Sequence, residues 1–384
     1  MTETDWLSAR IHSSERGVAA GFDLAAGQVL AVLGPNGAGK STVLEAIAGL
    51  AELDGGTVRI GQRTVYDHEA GVSLPVAERG VGLLAQDALL FGSLSVRENV
   101  EFGPRSQGRG KDESRRAAEK WLDAVGAGEL ARKRPRKLSG GQARRVAIAR
   151  ALAAEPDVLL LDEPFAALDV AVAATIRSML RTLLAERAAE RGGRAATVLV
   201  THDVVDVLTL ADQVLVLDNG MVVDAGPVDR ALRAPRSPFT ADLAGTNMLT
   251  GTADRAAEAG TATPVGLRTA AGAQVTGTGL HTLTPGDAVT AVFAPGAVTV
   301  RRPDDAGTGA DSTGAPADGG LAVTVVAVEA RGETVRIRAE HGEGTESGPL
   351  LADVPLAEAG ALSARLGDRL VFHPDPEAVT VYPR

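Results

Sequence analysis

Residues 29–50 read VLAVLGPNGAGKSTVLEAIAGL. The apolar run Val29–Leu33 predicts a buried strand, a glycine-rich turn follows, and the next segment places Val43, Leu44 and Ile47 on one face of a helix. Gly34, Gly39, Lys40 and Ser41 fit G-x-x-x-x-G-K-[ST], the spacing of a phosphate-binding loop. Glycine at 37 and 39 admits backbone shapes that a Cβ blocks. The N–H groups from Asn36 through Gly37, Ala38, Gly39, Lys40 and Ser41 to Thr42 can then turn inward around phosphate oxygens. The helix that starts near Lys40 adds the positive end of its dipole. Gly34, Pro35 and the seven residues after them are therefore the candidate nucleotide-binding set. Lys40 would reach the β- and γ-phosphates, and the Ser41 hydroxyl would ligate Mg²⁺.

The rest of the chain bounds what such a loop can serve. At 384 residues the chain predicts two or more domains, because a single core seldom grows past ~250–300 residues. Hydrophobic residues make up 45% but aromatics only 3%, so the cores must be built from Val, Leu, Ile and Ala. A net charge of −10 argues against binding nucleic acid by bulk charge. With no cysteine, thiolate metal sites, disulfides and cysteine nucleophiles are excluded. The opening MTETDWLSAR has no basic segment followed by an apolar stretch, so no secretory signal is expected. No run of ~18 apolar residues is present to cross a membrane, so the expected home is the reducing cytoplasm, with any membrane association made through a partner.

Further strands are expected at Leu7–Ile11, Val18–Leu24, Thr57–Ile60 and Val81–Leu84. Gln86 follows the last of these, at the sheet edge where α/β proteins bind ligands. Ser95 and Glu98 have the S-x-x-E spacing of a capping box. Residues 114–125 predict an amphipathic helix with Ala118, Trp121, Leu122 and Val125 inward, stopped by Gly126. Residues 87–155 are thus expected to be mostly helical and inserted between strands of the main sheet. The basic run RKRPRK at 132–137 reads either as a solvated loop or as electrostatic support for nearby phosphates.

LSGGQ, from Leu138 through Ser139, Gly140 and Gly141 to Gln142, opens a long helix with Ser139 as its N-cap. Taken alone, this is either ordinary capping or a second anion site. VLLLDEP, Val158 to Pro164, predicts a fully buried parallel strand with Asp162 and Glu163 at its carboxyl end. Asp162 can hold the Mg²⁺ shell, and Glu163 can orient and deprotonate an attacking water. Thr197–Val200 predicts another buried strand, and His202 after it reads as an ordinary polar residue or as a contact to the γ-phosphate. Val214–Leu217 and Met221–Val223, joined by Asn219-Gly220, predict a hairpin with a type I′ turn.

Phosphate loop, Gln86, LSGGQ, VLLLDEP, AALD and His202, in that order over residues 6–245, resemble an ABC-type ATPase, the ATP-binding subunit of an ATP-driven transporter. The resemblance implies an α/β phosphate-loop cassette with an inserted helical subdomain. It also implies ATP and Mg²⁺, and a head-to-tail homodimer with each nucleotide between the phosphate loop of one copy and the LSGGQ of the other. It makes Glu163 the catalytic base, His202 the γ-phosphate contact, Gln86 a Mg²⁺ ligand that reports to the membrane subunit, and Asp169 the residue communicating across the dimer. The family usually stacks an aromatic ring on adenine. IHSSERGV at 11–18 has none, which leaves His12 or Arg16 as substitutes. Ala85 and Ala166 stand where Phe and Ser are common in the family.

Past the Pro- and Gly-bearing stretch at 234–250, Val, Thr, Gly and Ala dominate, as in short strands. A repeat is visible: Gly286-Asp287, Pro295 and Ala297-Val298-Thr299-Val300 recur as Gly367-Asp368, Pro376 and Ala378-Val379-Thr380-Val381. Two small β-barrel modules are expected, with a polar insert at 302–320 between them. The division expected is 1–240 and 241–384, the helical part lying at about 87–155. A β-barrel pair behind such a cassette resembles the OB-like (mop/TOBE) regulatory domains of importer ATPases, and Leu74 to Phe102 is similar to the equivalent segment of molybdate importers. The implied function is the ATP-hydrolysing subunit of an oxyanion importer, molybdate first. It would sit peripherally on the cytoplasmic face, with permease subunits as direct partners and a solute-binding protein as an indirect one. Alternatives are an importer for sulfate, iron(III), polyamine or sugar, a non-transport ABC ATPase, and a sensor built on the C-terminal barrels.

Overall fold

The computed structural model describes residues 5–256, 264–270, 272–303, 320–342 and 348–384. The chain forms two compact units, Met1–Val228 and Asp229–Arg384. In the first, β1 (Asp5–Ser13), β2 (Val18–Ala25) and β3 (Val29–Leu33) lead through the glycine loop into α1 (Lys40–Ala48). Then come β4 (Gly55–Ile60), β5 (Arg63–Asp67), β6 (Val72–Ser73) and β7 (Val81–Leu84). Three helices, α2 (Val96–Ser106), α3 (Lys111–Ala124) and α4 (Gly140–Ala153), precede β8 (Val158–Asp162). The unit ends with α5 (Val170–Glu190), β9 (Ala196–Val200), α6 (Val204–Leu210), β10 (Gln213–Asp218) and β11 (Met221–Pro227).

Among the described residues these strands make one eleven-stranded sheet, ordered β6-β5-β4-β1-β2-β11-β10-β3-β9-β8-β7. From β10 to β7 every neighbouring pair is parallel, while β1, β2, β4, β5 and β6 pair antiparallel. The apolar runs account for the parallel half. All five residues of β3 and of β9 are buried, as are the first four of β8, because helices cover both faces. The inserted helices α2 to α4 enter between β7 and β8, and Ala118, Trp121, Leu122 and Val125 are buried as their spacing predicts. The third helix begins at Lys111 rather than 114, with Asp112 and Glu113 in its first turn, where the helix dipole favours them. Ser95 and Glu98 form the expected capping box. Asn219 and Gly220, at φ 46° and 77°, make the turn between β10 and β11 with the left-handed pair that type I′ requires.

The second unit follows α7 (Val228–Arg233) with α8 (Pro238–Leu243), β12 (Asn247–Ala253), β13 (Pro264–Arg268), β14 (Gln274–Gly279), β15 (Ala288–Phe293) and β16 (Val298–Arg301). It continues with β17 (Leu321–Arg331), β18 (Thr334–Glu340), β19 (Leu350–Pro355), α9 (Leu356–Leu362), β20 (Arg369–Pro374) and β21 (Thr380–Pro383). The repeat is real at atomic detail. Gly286 and Gly367 both take positive φ, and Asp287 and Asp368 each accept a hydrogen bond from the backbone N–H three residues earlier. The modules are nevertheless not consecutive, which corrects the expectation of two separate barrels. The closed barrel is β12-β13-β14-β21-β15, and the other module is a five-stranded sheet, β16-β20-β17-β18-β19. Each copy of A-V-T-V is thus lent to the other module: β21 pairs with β14 and β15, and β16 with β20. One hydrophobic cluster, including Leu249, Val289, Phe293, Leu321, Ile337, Phe372 and Val381, spans both modules. The insert expected at 302–320 lies, apart from its ends, outside the described residues.

Removing residues 380–384 should open the barrel that starts at Asn247, far from the cut. Loss of the fully buried Val381 and Tyr382 alone should cost at least about 3 kcal/mol. Hydrogen exchange should show protection falling in 274–279 and 288–293 while 334–340 and 350–355 keep theirs. Loss confined to 369–374 would contradict the strand exchange.

Candidate nucleotide-binding and hydrolysis site

Four neighbouring parallel strands, β3, β9, β8 and β7, deliver their carboxyl ends to one edge of the sheet. The loop after β3 is Gly34–Gly39. Its glycines have different jobs. A Cβ at Gly34 would lie 2.1 Å from the Leu217 carbonyl oxygen, and one at Gly39 would lie 2.6 Å from Val18, so both are required by packing. Gly37 faces open space and is required by its φ of 82°. Inside the curl the buried Lys40 ammonium donates to the carbonyls of Gly34 and Pro35, each at 2.8 Å. Burial pushes the Lys40 pKa down, while Glu163 and Asp162 push it back up. A buried cation held by carbonyl dipoles within a cradle of N–H groups fits an anionic ligand with several oxygens.

Asp162 ends β8. Burial, and then the charge of Glu163, raise its pKa above the ordinary carboxylate range. That is the state a bound divalent cation relieves. The oxygens of Ser41, Asp162 and the Gln86 amide are hard donors of the kind Mg²⁺ takes.

Glu163 sits on left-handed backbone at φ 42°, a conformation that costs a non-glycine residue about 1–2 kcal/mol. Its N–H donates to the Val200 carbonyl at 3.0 Å, and its carbonyl accepts from the Ala166 N–H and the Arg144 guanidinium. Its carboxylate lies between two other residues that the sequence marks as site candidates. Gln86 Nε2 donates to one oxygen at 3.4 Å, and His202 Nδ1 lies 3.4 Å from the other. Gln86, Glu163 and His202 therefore meet, although they come from three different strands. Ser139 caps α4 with Gln142 closing the capping box, so the LSGGQ hydroxyl has a fixed place at a helix N-terminus. Asp169 caps α5 by accepting from the Val172 N–H.

The two residues offered as adenine contacts are held by carboxylates. His12 Nδ1 lies 2.8 Å from Asp54, and Arg16 pairs with Glu45. Hydrogen bonds from Ser14, and then from His12, hold Asp54 well below the usual carboxylate range. The side chains of the basic run, Arg132, Lys133, Arg134, Arg136 and Lys137, are exposed, and the Lys133 carbonyl accepts from the Val96 N–H at the start of α2.

Sequence reasoning missed two arginines. The buried Arg144 donates to the carbonyls of Ala85, Gln86 and Glu163, so the helix opened by LSGGQ holds both the Gln86 segment and the Glu163 backbone. Arg177, on α5, bonds Asp203 and Asp206 beside His202. The signal was present. Arg144 shares a helical stripe with the buried Ile148 and Ala151, and Arg177 shares one with Ala173, Leu180 and Leu184. A cation on an apolar stripe must find acceptors inside.

Residues 19–166 match the model of the ABC transporter family. The molybdenum import ATP-binding protein ModC of Mycobacterium tuberculosis (strain H37Rv) is 46% identical over 382 residues, covering 98% of this chain and 97% of its own length. The sulfate/thiosulfate import ATP-binding protein CysA of Methylococcus capsulatus is 41% identical over 232 residues, covering 59% of this chain and 63% of its own length. Among solved structures, cbiO1 of Clostridium perfringens, part of the ABC transporter complex cbiONQ, superposes with a TM-score of 0.51 at 27% identity over 60% of this chain and 94% of its own. The cassette order, the assembled Gln86–Glu163–His202 edge and the near full-length likeness agree, and the chain belongs to the ATP-binding proteins of the ABC transporter family.

Proposed function

We propose that this chain is the ATP-hydrolysing subunit of an importer for a tetrahedral oxyanion, with molybdate as the solute. The observation that carries the solute is coverage. Likeness to the molybdenum import protein runs through 98% of the chain, including the β unit, whereas likeness to the sulfate import protein covers 59%. In this reading residues 1–240 bind and hydrolyse ATP and residues 241–384 are regulatory. Two copies close head to tail, permease subunits in the membrane are the direct partners, an extracytoplasmic solute-binding protein is an indirect one, and the assembly lies on the cytoplasmic face. No described helix is long and apolar enough to cross a membrane.

The residues divide the chemistry as follows. Backbone N–H groups from Asn36 to Thr42 and the Lys40 ammonium hold the phosphates. Ser41, Asp162 and Gln86 would hold Mg²⁺, which neutralises phosphate charge as it develops. The Glu163 carboxylate accepts a proton from the water whose oxygen attacks the γ-phosphorus, and the phosphorus–oxygen bond to ADP breaks. Gln86 and His202, one at each carboxylate oxygen, keep the base in plane, and His202 faces the γ-phosphate. Ser139 and the free N–H groups behind it close the site from the second copy.

Glu163→Gln should retain nucleotide binding and lower turnover by about 10²–10⁴-fold, because the cradle stays and the base goes. Equal turnover in the variant and the parent would contradict the assignment. Lys40→Ala should weaken nucleotide affinity itself, measured by equilibrium binding of a fluorescent ATP analogue. The solute is tested by reconstituting the complex with its permease: ATPase activity should rise with molybdate-loaded binding protein and not with sulfate. Stimulation by sulfate-loaded binding protein alone would favour a sulfate importer instead.

A further inference from the structure

His202 is the least anchored member of the hydrolytic edge. Its side chain is 67% exposed, and Glu163 lies 3.4 Å away. Its position must come from the residues on either side, and both are tied to a buried network. Thr201 Oγ1 donates to Asp206 Oδ2 at 2.5 Å, and the Asp203 N–H donates to Thr201 Oγ1 at 3.1 Å. Asp203 Oδ1 accepts from the Val205 N–H and so starts α6. Asp206 is 3% exposed, a carboxylate that needs a cation in so dry a place.

Arg177 supplies that cation. Its Nε donates to Asp206 at 2.7 Å, and its Nη2 to Asp203 at 3.2 Å. The same guanidinium lies over the ring of Phe165, 5.1 Å from its centroid, and Phe165 is buried two residues after Glu163. A planar group that bonds two carboxylates and stacks on a ring is arginine geometry, which lysine cannot reproduce. Arg177 therefore touches the segment that follows the base and the segment that carries His202. It does so from α5, about two helical turns past the Asp169 cap.

We propose that Arg177 is a positioning residue for ATP hydrolysis: it sets His202 against Glu163 and makes that setting depend on α5. The inference rests on the roles given above to Glu163 and His202. Arg177 does not touch nucleotide; it acts through the backbone on both sides of His202.

The test is a double-mutant cycle. Arg177→Met keeps the stem and removes the guanidinium, while Thr201→Val keeps the ion pairs and removes the hydroxyl that joins Asp206 to the Asp203 N–H. Each is made alone and with His202→Ala. Hydrolysis is measured in single turnover with enzyme in excess, so that slow chemistry stays measurable, and thermal melting monitors folding. Each single variant should lower the hydrolysis rate about tenfold and leave the KM for Mg-ATP within about twofold. In the His202→Ala background each should cost less than about twofold, because the residue through which it acts is gone. Equal losses in both backgrounds, or an unchanged rate in the single variants, would overturn the proposal. If Arg177→Met does not fold, Thr201→Val alone decides. Glu163→Gln, run in parallel, separates the two claims. Parent-like hydrolysis there removes the base assignment and this inference with it. An inactive Glu163→Gln beside additive Arg177 and His202 effects removes only this inference.

Discussion

In the proposed mechanism a base meets one water at one phosphate, which needs a backbone that does not drift, so the proposal depends on how Glu163 is held. Its left-handed backbone is unfavourable by itself and persists because Val200 and Arg144 bind the peptide groups on either side of it. The strand before it is buried through four residues and paired on both edges, with β7 and β9. These two neighbours bring Gln86 and His202, so the pairing that fixes the strand also fixes the flanks of the carboxylate. The charge pattern follows. Lys40 and Asp162 sit in surroundings that penalise their ionised forms, and both are relieved by what the loop is shaped to hold, phosphate for one and a divalent cation for the other.

The helical insert is joined to this edge through polar contacts as well as packing. Arg144, on the helix that LSGGQ opens, holds the carbonyls of Ala85, Gln86 and Glu163. A turn of α4 would therefore be felt at the base and at Gln86 together. In the C-terminal unit the exchanged strands have a similar effect by another route. The barrel closes only with β21 from the second repeat, and the sheet is complete only with β16 from the first, so each module is built with a strand from the other repeat.

Much of this was legible in the residues, and the parts that were not share a cause. Val29–Leu33 and Val81–Leu84 are bounded as their apolar runs suggest, and the capping boxes at Ser95 and Ser139 form, because these signals are local. Gln86, Glu163 and His202 follow buried strands, and the parallel order brings such ends together. The strand exchange was not legible: Ala297-Val298-Thr299-Val300 and Ala378-Val379-Thr380-Val381 are identical, so nothing in either copy says which module it joins. Nor did spacing reveal that Glu163 takes positive φ, since its partners Val200 and Arg144 are remote in sequence. His12 and Arg16 were named as adenine contacts by residue type alone, and the ion pairs that hold them were not legible. Their carboxylate partners, Asp54 and Glu45, lie on the far side of the glycine loop in sequence.

In the proposed dimer one copy of this edge is half a site, and the Ser139 helix start of a second copy completes it. Sedimentation of the Glu163→Gln chain, in which bound ATP persists, tests it most directly. The expected species has a mass of 39.3 kDa without nucleotide and twice that with Mg-ATP. A chain that stays at the single mass under saturating Mg-ATP contradicts it.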